Sequence, residues 1–200
     1  VDTDLVNRRR DEIISAAIKV FSEKGYHAAR IEDIAAELGI GHGTFYRYFK
    51  NKRDIFEHAT ESVVASITEV VAEESPTAAD SLEEYREQLY RIGEDPFRLF
   101  MENPYMPRIL FYETFGLGEE MRLKVDEIFQ IFGRYTEQYL LNGIRKGFLR
   151  KNIPTRETAL GINSMIFEAA RSLARSSNPE EEYPRWLEAV VGLMIDGLGA

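Results

Sequence analysis

The chain has no cysteine, one tryptophan and three histidines in 200 residues. Without cysteine there is no disulfide framework and no thiolate metal site. The histidines are His27, His42 and His58, all near the start. The Gly-x-Ser-x-Gly elbow and the His-Glu-x-x-His pair, two common catalytic designs, are both missing from the sequence. Catalysis is therefore not expected, and neither is a metal or a cofactor. No apolar run approaches the roughly 20 residues that a bilayer crossing needs, and 30% charged residues speak against a membrane span; no membrane partner is expected. The opening VDTDLVNRRR has no apolar segment behind its arginines. No signal peptide is expected there, and the protein reads as cytoplasmic.

Positive charge is also in short supply, with a net charge of −9, but its distribution is uneven. Residues 1–60 hold equal numbers of acidic and basic side chains, so the whole excess of acid falls on the remainder. Between Gly41 and Arg53 stand Arg47, Lys50, Lys52 and Arg53, with no acid among them. A local basic patch of this kind is what contact with a polyanion requires.

Strand alternation and low-complexity tracts are absent, and helical spacing runs through most of the chain. Ile13, Ile14, Ala17, Val20 and Phe21 lie on one face of a first helix that should stop at Gly25. Ile31, Ile34, Ala35 and Leu38 mark a short second helix ending at Gly39, and Phe45 and Phe49 share a face of a third. Asn51 is placed to cap a fourth, with Asp54 in its first turn near the positive end of the dipole. That helix runs towards Ser75-Pro76, where EESPTAADS reads as a linker. Asp80 with Glu83 resembles a capping box for a helix turning Leu82, Tyr85, Leu89 and Ile92 inward. Asp95-Pro96 predicts a new helix start, and Pro104 and Pro107 predict further breaks. Later helices are expected from Val125 to around Gly143–Gly147, from Pro154-Thr155 to Ser177, and from Trp186 to Leu198. The fold class is all-α.

Gly39, Gly41 and Gly43, followed by Thr44, could suggest a phosphate-cradling loop. Such a loop needs a strand before it, yet IEDIAAEL has helical spacing. A helix, a tight turn through Gly39, then a short helix is instead a helix-turn-helix, whose second helix enters the major groove. Phe45 and Phe49 would hold that helix inward, with Ile40 anchoring the turn in the core. His42, Thr44, Tyr46, Arg47 and Tyr48 are left for the outer faces, where hydroxyl and guanidinium groups suit phosphates and base edges. Lys52 is expected to reach the DNA backbone as a point charge. Arg8–Arg10 read either as a solvated N-terminal arm or as a backbone-contacting one. His58 with Glu61, and His27 with Glu23, read as surface pairs and not as metal ligands.

Residues Arg9 to about Ala59 resemble the DNA-binding domain of the tetracycline-repressor (TetR) family. The matching pieces are RRDEIISAAIKVFSEKGY, IEDIAAELGI and GTFYRYFKNKRDIF. The resemblance implies an N-terminal three-helix helix-turn-helix domain over 1–54, followed by a helical ligand-binding and dimerisation domain over 55–200. It implies DNA contacts from Arg30, Gly41, His42, Gly43, Thr44, Tyr46, Arg47, Tyr48, Lys50 and Lys52. Two positions depart from the family pattern. Gly41 stands where Ser or Thr is frequent, and Ala29 where a phosphate-binding Thr is common, with Arg30 beside it.

Aromatics are dense between Phe97 and Tyr139. Proline-broken helices pack with gaps, and gaps lined by rings make apolar pockets. An effector site is expected among Phe100, Phe111, Phe115, Phe129, Phe132, Tyr135 and Phe167, with Asn163, Glu168 and Arg171 as polar anchors. The last two helices are apolar over more than one stripe, which calls for cover from a second copy. Ile166, Ala170, Leu187, Val190, Val191 and Met194 are the expected dimer contacts. The expected partners are thus a double-stranded palindromic DNA operator, a small apolar or aromatic effector and a second copy of the chain, acting together as a ligand-released repressor. Two alternatives stand beside this: an activator of the same fold, and a helical adaptor that binds only protein. The basic Gly41–Arg53 segment argues against the adaptor.

Overall fold

The computed structural model describes residues 3–103, 105–113 and 118–199, with only the backbone of Thr3, Phe111, Tyr112, Glu120, Met121, Arg122 and Val125. The helices are α1 (Thr3–Lys24), α2 (Ile31–Glu37), α3 (His42–Phe45), α4 (Lys52–Ala72), α5 (Leu82–Glu102), α6 (Met106–Arg108), α7 (Glu119–Lys146), α8 (Thr155–Leu173) and α9 (Pro179–Leu198). A π-helical turn, Ile109–Glu113, follows α6. No strand occurs among the described residues. The chain forms two compact units, one of residues 1–66 with 103–117, the other of 67–102 with 118–200.

In the first unit Ile13, Ala17 and Phe21 of α1 meet the α2 residue Ile34, together with Phe45, Phe49, Ile55, Phe56 and Ala59, all fully or almost fully buried. Phe21 meets Phe56 edge-on at 5.2 Å between centroids. α2 ends as the sequence requires. Gly39 takes φ 63, a conformation costly for any residue with a Cβ. The amides of Gly39 and Ile40 return to the carbonyls of Ala36 and Ala35 at 3.1 and 2.9 Å, the paired bonds that close a helix in a left-handed turn. Ile40 itself is only half-buried, so the turn is held by its backbone more than by that side chain. At α4, Asn51 Oδ1 accepts the amide of Asp54 at 2.9 Å, and Asp54 accepts that of Lys50 at 2.7 Å. The predicted cap is present. Arg8–Arg10 are not an arm, because α1 extends back to Thr3.

In the second unit Tyr85, Leu89, Leu140, Leu149, Ala159, Ile162, Leu187, Val190, Val191, Met194 and Ile195 form one core. α5 packs on α9 where Gly93 leaves no room for a methyl beside Leu187. The loop after α4 is pinned at several points. The Tyr85 hydroxyl donates to Tyr139 O at 3.0 Å, and the Tyr139 hydroxyl donates to Glu74 O at 2.6 Å. Gln88 Nε2 donates to Ser75 O at 2.7 Å, and Arg91 Nε reaches Glu74 Oε1 at 2.6 Å.

Three expectations need correction here. The capping box is Ser81 with Glu84: Ser81 Oγ accepts the Glu84 amide at 3.2 Å, and Glu84 accepts the Asp80 amide at 2.8 Å. With the start shifted by one, Leu82 is left exposed. Pro96 lies inside α5 and does not start a helix. Its ring removes one amide, but the apolar stripe of Tyr85, Leu89, Ile92, Pro96 and Leu99 continues past it and holds the helix on course. Likewise α9 starts at Pro179, seven residues before Trp186, and carries Pro184 within it. Its first turns hold Glu180–Glu182 at the positive dipole end, and Tyr183 lies flat on Phe97 at 3.8 Å.

Candidate nucleic-acid interface

The recognition segment begins at Gly41, extended at φ −77, ψ 153, with no side chain to cap the helix. α3 is a single turn, prolonged by looser bonds: Tyr46 N to His42 O at 3.2 Å, Tyr48 N to Phe45 O at 2.9 Å and Phe49 N to Phe45 O at 3.1 Å. What fixes so short a helix is its inner face. Phe45 and Phe49 are 0% and 1% exposed, and their rings lie 5.8 Å apart. Two buried phenylalanines four positions apart dictate what faces out. His42, Gly43, Tyr46 and Arg47 are exposed, while Thr44 and Tyr48 are half-buried. Arg47 Nη2 leans on Thr44 Oγ1 at 3.4 Å, and the Tyr46 ring stands edge-on to Phe45 at 5.4 Å. A phenol and a guanidinium are thus held at the surface by a rigid floor. Beyond the local backbone and chain neighbours, a methyl placed on Gly41 or Gly43 would meet nothing within 4 Å among the described residues, so a backbone can come close there.

The flanking cations differ in their freedom. Arg30 and Lys50 are exposed. The Arg30 amide donates to Asp33 Oδ2 at 2.8 Å, setting Arg30 at the start of α2. Lys24 beside it, with the backbone bond of Arg30, holds the Asp33 carboxyl below the ordinary carboxylate range. Arg53 pairs with Glu57 at 3.0 Å. The Lys52 ammonium donates to the carbonyls of Tyr26, His27 and Ala29 at 2.8, 3.2 and 3.0 Å. Arg10, from the predicted arm, reaches His58 Nε2 at 3.0 Å and lies over the Phe49 ring at 5.6 Å. It braces the floor of the recognition segment. Arg8 and Arg9 stay at the surface beside Glu12. His58 also meets Glu61 at 3.2 Å and Asp54 at 3.6 Å. No metal-binding cluster occurs among the described residues.

Sequence reasoning missed Tyr26 and Glu113. The Tyr26 ring packs against Phe56 at 4.9 Å, and its amide donates to Glu113 Oε2 at 2.7 Å. Ser22 Oγ donates to Tyr105 O at 2.9 Å. No spacing rule could connect positions more than eighty residues apart.

In the second unit Phe167 meets Phe129 at 4.5 Å and Phe132 at 5.9 Å. Beside them Asn163 is 6% exposed. Its Oδ1 accepts the Thr136 hydroxyl at 2.8 Å, and its Nδ2 has no hydrogen-bond partner among the described residues. Phe100 and Tyr135 are half-buried on α5 and α7. Phe115 and the side chain of Phe111 lie outside the described residues. Arg171 is gripped by Glu168 through two bonds of 2.8 and 2.7 Å. Of the expected dimer contacts, Leu187, Val190, Val191 and Met194 are buried in the chain's own core. Ile166 is exposed and Ala170 half-buried, and Leu193, which the sequence reading passed over, is 58% exposed. The apolar stripe of α9 is consumed within the chain, and its outward side carries Leu193 instead.

The sequence profile of the bacterial regulatory proteins of the tetR family matches residues 13–59. The HTH-type transcriptional repressor NicS of Pseudomonas putida is 30% identical over 202 aligned positions, covering 96% of this chain and 93% of that one. The fatty acid metabolism regulator protein of Bacillus subtilis is 28% identical over 145 residues, 72% of this chain and 73% of its own. The solved structure of the regulator FadR from Bacillus subtilis in complex with stearoyl-CoA superposes with a TM-score of 0.72 at 25% identity, covering 94% of this chain and 98% of that one.

Proposed function

Since this chain belongs to the TetR family of bacterial regulatory proteins and is a DNA-binding transcriptional regulator, we propose that it acts as a dimeric repressor released by an apolar effector. The observation that carries the DNA-facing part is the exposed Tyr46–Arg47 pair on a turn whose inner face, Phe45 and Phe49, is closed off from solvent. In a twofold dimer two such turns would meet successive major grooves about 34–36 Å apart, on a palindromic site. Arg47, Arg30 and Lys50 would neutralise phosphates; His42, Thr44 and Tyr46 would meet base edges or the sugar–phosphate chain. Dimerisation would use the outward sides of α8 and α9, where Ile166 and Leu193 are exposed and Gly161, Gly192 and Gly197 have open space around them.

The effector would lie beside Phe129, Phe132 and Phe167, with Asn163 Nδ2 donating to an acceptor on the ligand. A buried amide donor without a partner costs roughly 1–3 kcal/mol, so a ligand carbonyl or ether that accepts from it gains affinity and orientation together. A long-chain acyl thioester combines an apolar chain with one such carbonyl, and the similar Bacillus subtilis regulator was crystallised with stearoyl-CoA. Release requires only that the effector favour the DNA-incompetent state by 1–3 kcal/mol or more. α4 is one covalent route for that bias, since it starts in the first unit at Lys52 and ends in the second at Ala72.

The test is selection of bound duplexes from a random pool, followed by titration of the selected duplex complex with stearoyl-CoA, stearate and an aromatic carboxylate. A pseudo-palindrome released by stearoyl-CoA at micromolar concentration supports the reading. Recovery of no preferred sequence, or tightening of the complex by stearoyl-CoA, defeats the repressor.

A further inference from the structure

Helices α7 and α8 pack against each other along facing residues. On α7, Phe129, Gly133 and Thr136 follow helical spacing and share a face. On α8, Leu160, Asn163 and Phe167 do the same. The helices come close at Gly133, where a Cβ would lie 2.9 Å from Leu160 Cδ2 and 4.0 Å from Asn163 Nδ2. One turn further on, the Thr136 hydroxyl donates to Asn163 Oδ1 at 2.8 Å. Asn163 is 6% exposed, and its Nδ2 has no hydrogen-bond partner among the described residues. A side-chain amide has an acceptor end and a donor end. Thr136 occupies the acceptor end. The donor end is left beside the space that Gly133 leaves empty, and the rings of Phe129 and Phe167 lie 4.5 Å apart on the same two faces.

An amide turned end for end would present Oδ1 to that space and repel a ligand carbonyl. Its orientation is set by the neighbour that binds one end, and here that neighbour is a hydroxyl donating to Oδ1. We propose that Thr136 determines the hydrogen-bonding class of the effector. Through Asn163 it presents a donor, so the site takes a molecule with a bare acceptor, such as a thioester or ketone carbonyl, ahead of the same molecule without one. Gly133 provides the room in which that acceptor meets Nδ2. Thr136 is a positioning residue that acts through the amide. A ligand with no acceptor leaves Nδ2 buried and unpaired, which is the costly outcome for a buried donor. The proposal rests on the effector site described above, and adds the residue that orients its polar group and the one that makes room for it.

Stearoyl-CoA and its thioether analogue S-octadecyl-CoA form a matched pair, because a methylene replaces the thioester carbonyl in the second. Each is titrated into the complex of the full-length protein with the duplex selected by the wild type. The variants are Thr136→Val, Thr136→Ser, Asn163→Leu and Gly133→Ala. Duplex affinity without effector is measured for every variant, and release is expressed relative to it. The wild type should be half-released by stearoyl-CoA at about tenfold lower concentration than by the thioether, the worth of one buried hydrogen bond. Thr136→Val keeps the side-chain shape and removes the hydroxyl, so the ratio should fall to about threefold or less. Thr136→Ser returns the hydroxyl and should return the ratio. Asn163→Leu should abolish it, and Gly133→Ala should weaken the response to the thioester more than that to the thioether. A Thr136 that only supports the fold would shift both compounds together in Thr136→Val, and an unchanged ratio there overturns the proposal. A wild-type ratio near one, or a preference for the thioether, overturns it too, while release itself still upholds the effector reading. Release by neither compound overturns the acyl-thioester reading and this proposal together. Should Thr136→Val fail to fold, Thr136→Ala, which also lacks the hydroxyl, takes its place.

Discussion

Glu113 accepts the backbone amide of Tyr26 at 2.7 Å, from 87 positions further along the chain. Its carboxylate also lies beside Gly25 and within 3.7 Å of Arg108 Nε. The loop that Lys52 holds by its carbonyls is thus held by an amide from another side. Glu113→Ala leaves that amide without its charged acceptor, at a cost of about 1–3 kcal/mol. Chemical denaturation followed through the first unit should show a loss of this size, and Glu113→Gln, which keeps an acceptor oxygen, should show less. Equal stability of Glu113→Ala and wild type would mean water replaces the carboxylate at no cost.

Arg47→Ala should weaken binding to every duplex sequence and lower the slope of log affinity against log salt by about 0.9. Thr44→Ala should instead change which duplexes are preferred. Binding titrations at several salt concentrations separate these outcomes, and an unaltered slope for Arg47→Ala rules out its phosphate contact.

Phe45→Ala tests the floor under the recognition turn. Truncating a fully buried phenylalanine costs about 3–5 kcal/mol, so the first unit should melt earlier and operator binding should fall with it, although Phe45 never meets DNA. Retained stability with lost binding would contradict the floor role.

For the dimer, two substitutions on one helix should part company. Val190→Glu places a charge in the chain's own core and should unfold the second unit. Leu193→Glu places it on the outward side of α9 and should yield folded monomers. Light scattering and circular dichroism distinguish them. A Leu193→Glu protein that stays dimeric at micromolar concentration moves the interface elsewhere.

Alkali should probe the loop after α4. Burial, followed by the Glu74 carboxylate, pushes the Tyr139 hydroxyl up to about 12 from its ordinary 10.0; burial raises Tyr85 as well. The folded state therefore holds these protons more tightly than the unfolded chain. That stabilisation is complete below pH 10 and disappears as pH rises through about 12. Tyr139→Phe should be less stable than wild type at pH 9, and the gap should narrow towards pH 12. A gap constant across that range would show that folding does not raise the pKa of Tyr139.

The helices and the recognition segment were legible because their determinants are local. Phe45 and Phe49 at a spacing of four, Gly39 behind a helical run, and Asn51 three residues before Asp54 each carry their own geometry. What escaped lay in two kinds of place. Prolines gave misleading stops, since packing on both sides of Pro96 and the stacking of Tyr183 on Phe97 outweigh one missing amide. Charged residues gave their sign but not their partner. Lys52 and Arg47 look alike in a basic run, yet one is enclosed by carbonyls and the other exposed. Val190 and Leu193 look alike too, and only burial separates core from outward face.

Residues 103–117 belong to the first unit, although the helices before and after them, α5 and α7, belong to the second. The chain therefore passes between units three times, and the DNA-binding part is not a contiguous cassette. A fragment cut after Ser66 keeps the whole helix-turn-helix but loses the acceptors of Ser22 Oγ and the Tyr26 amide, along with Ile109 and Leu110, which are 0% and 1% exposed. Grafting a new sensory half onto this protein by a single splice would leave a wound of that kind in its reading head. A workable chimera has to carry the 103–117 segment across with the first sixty-six residues.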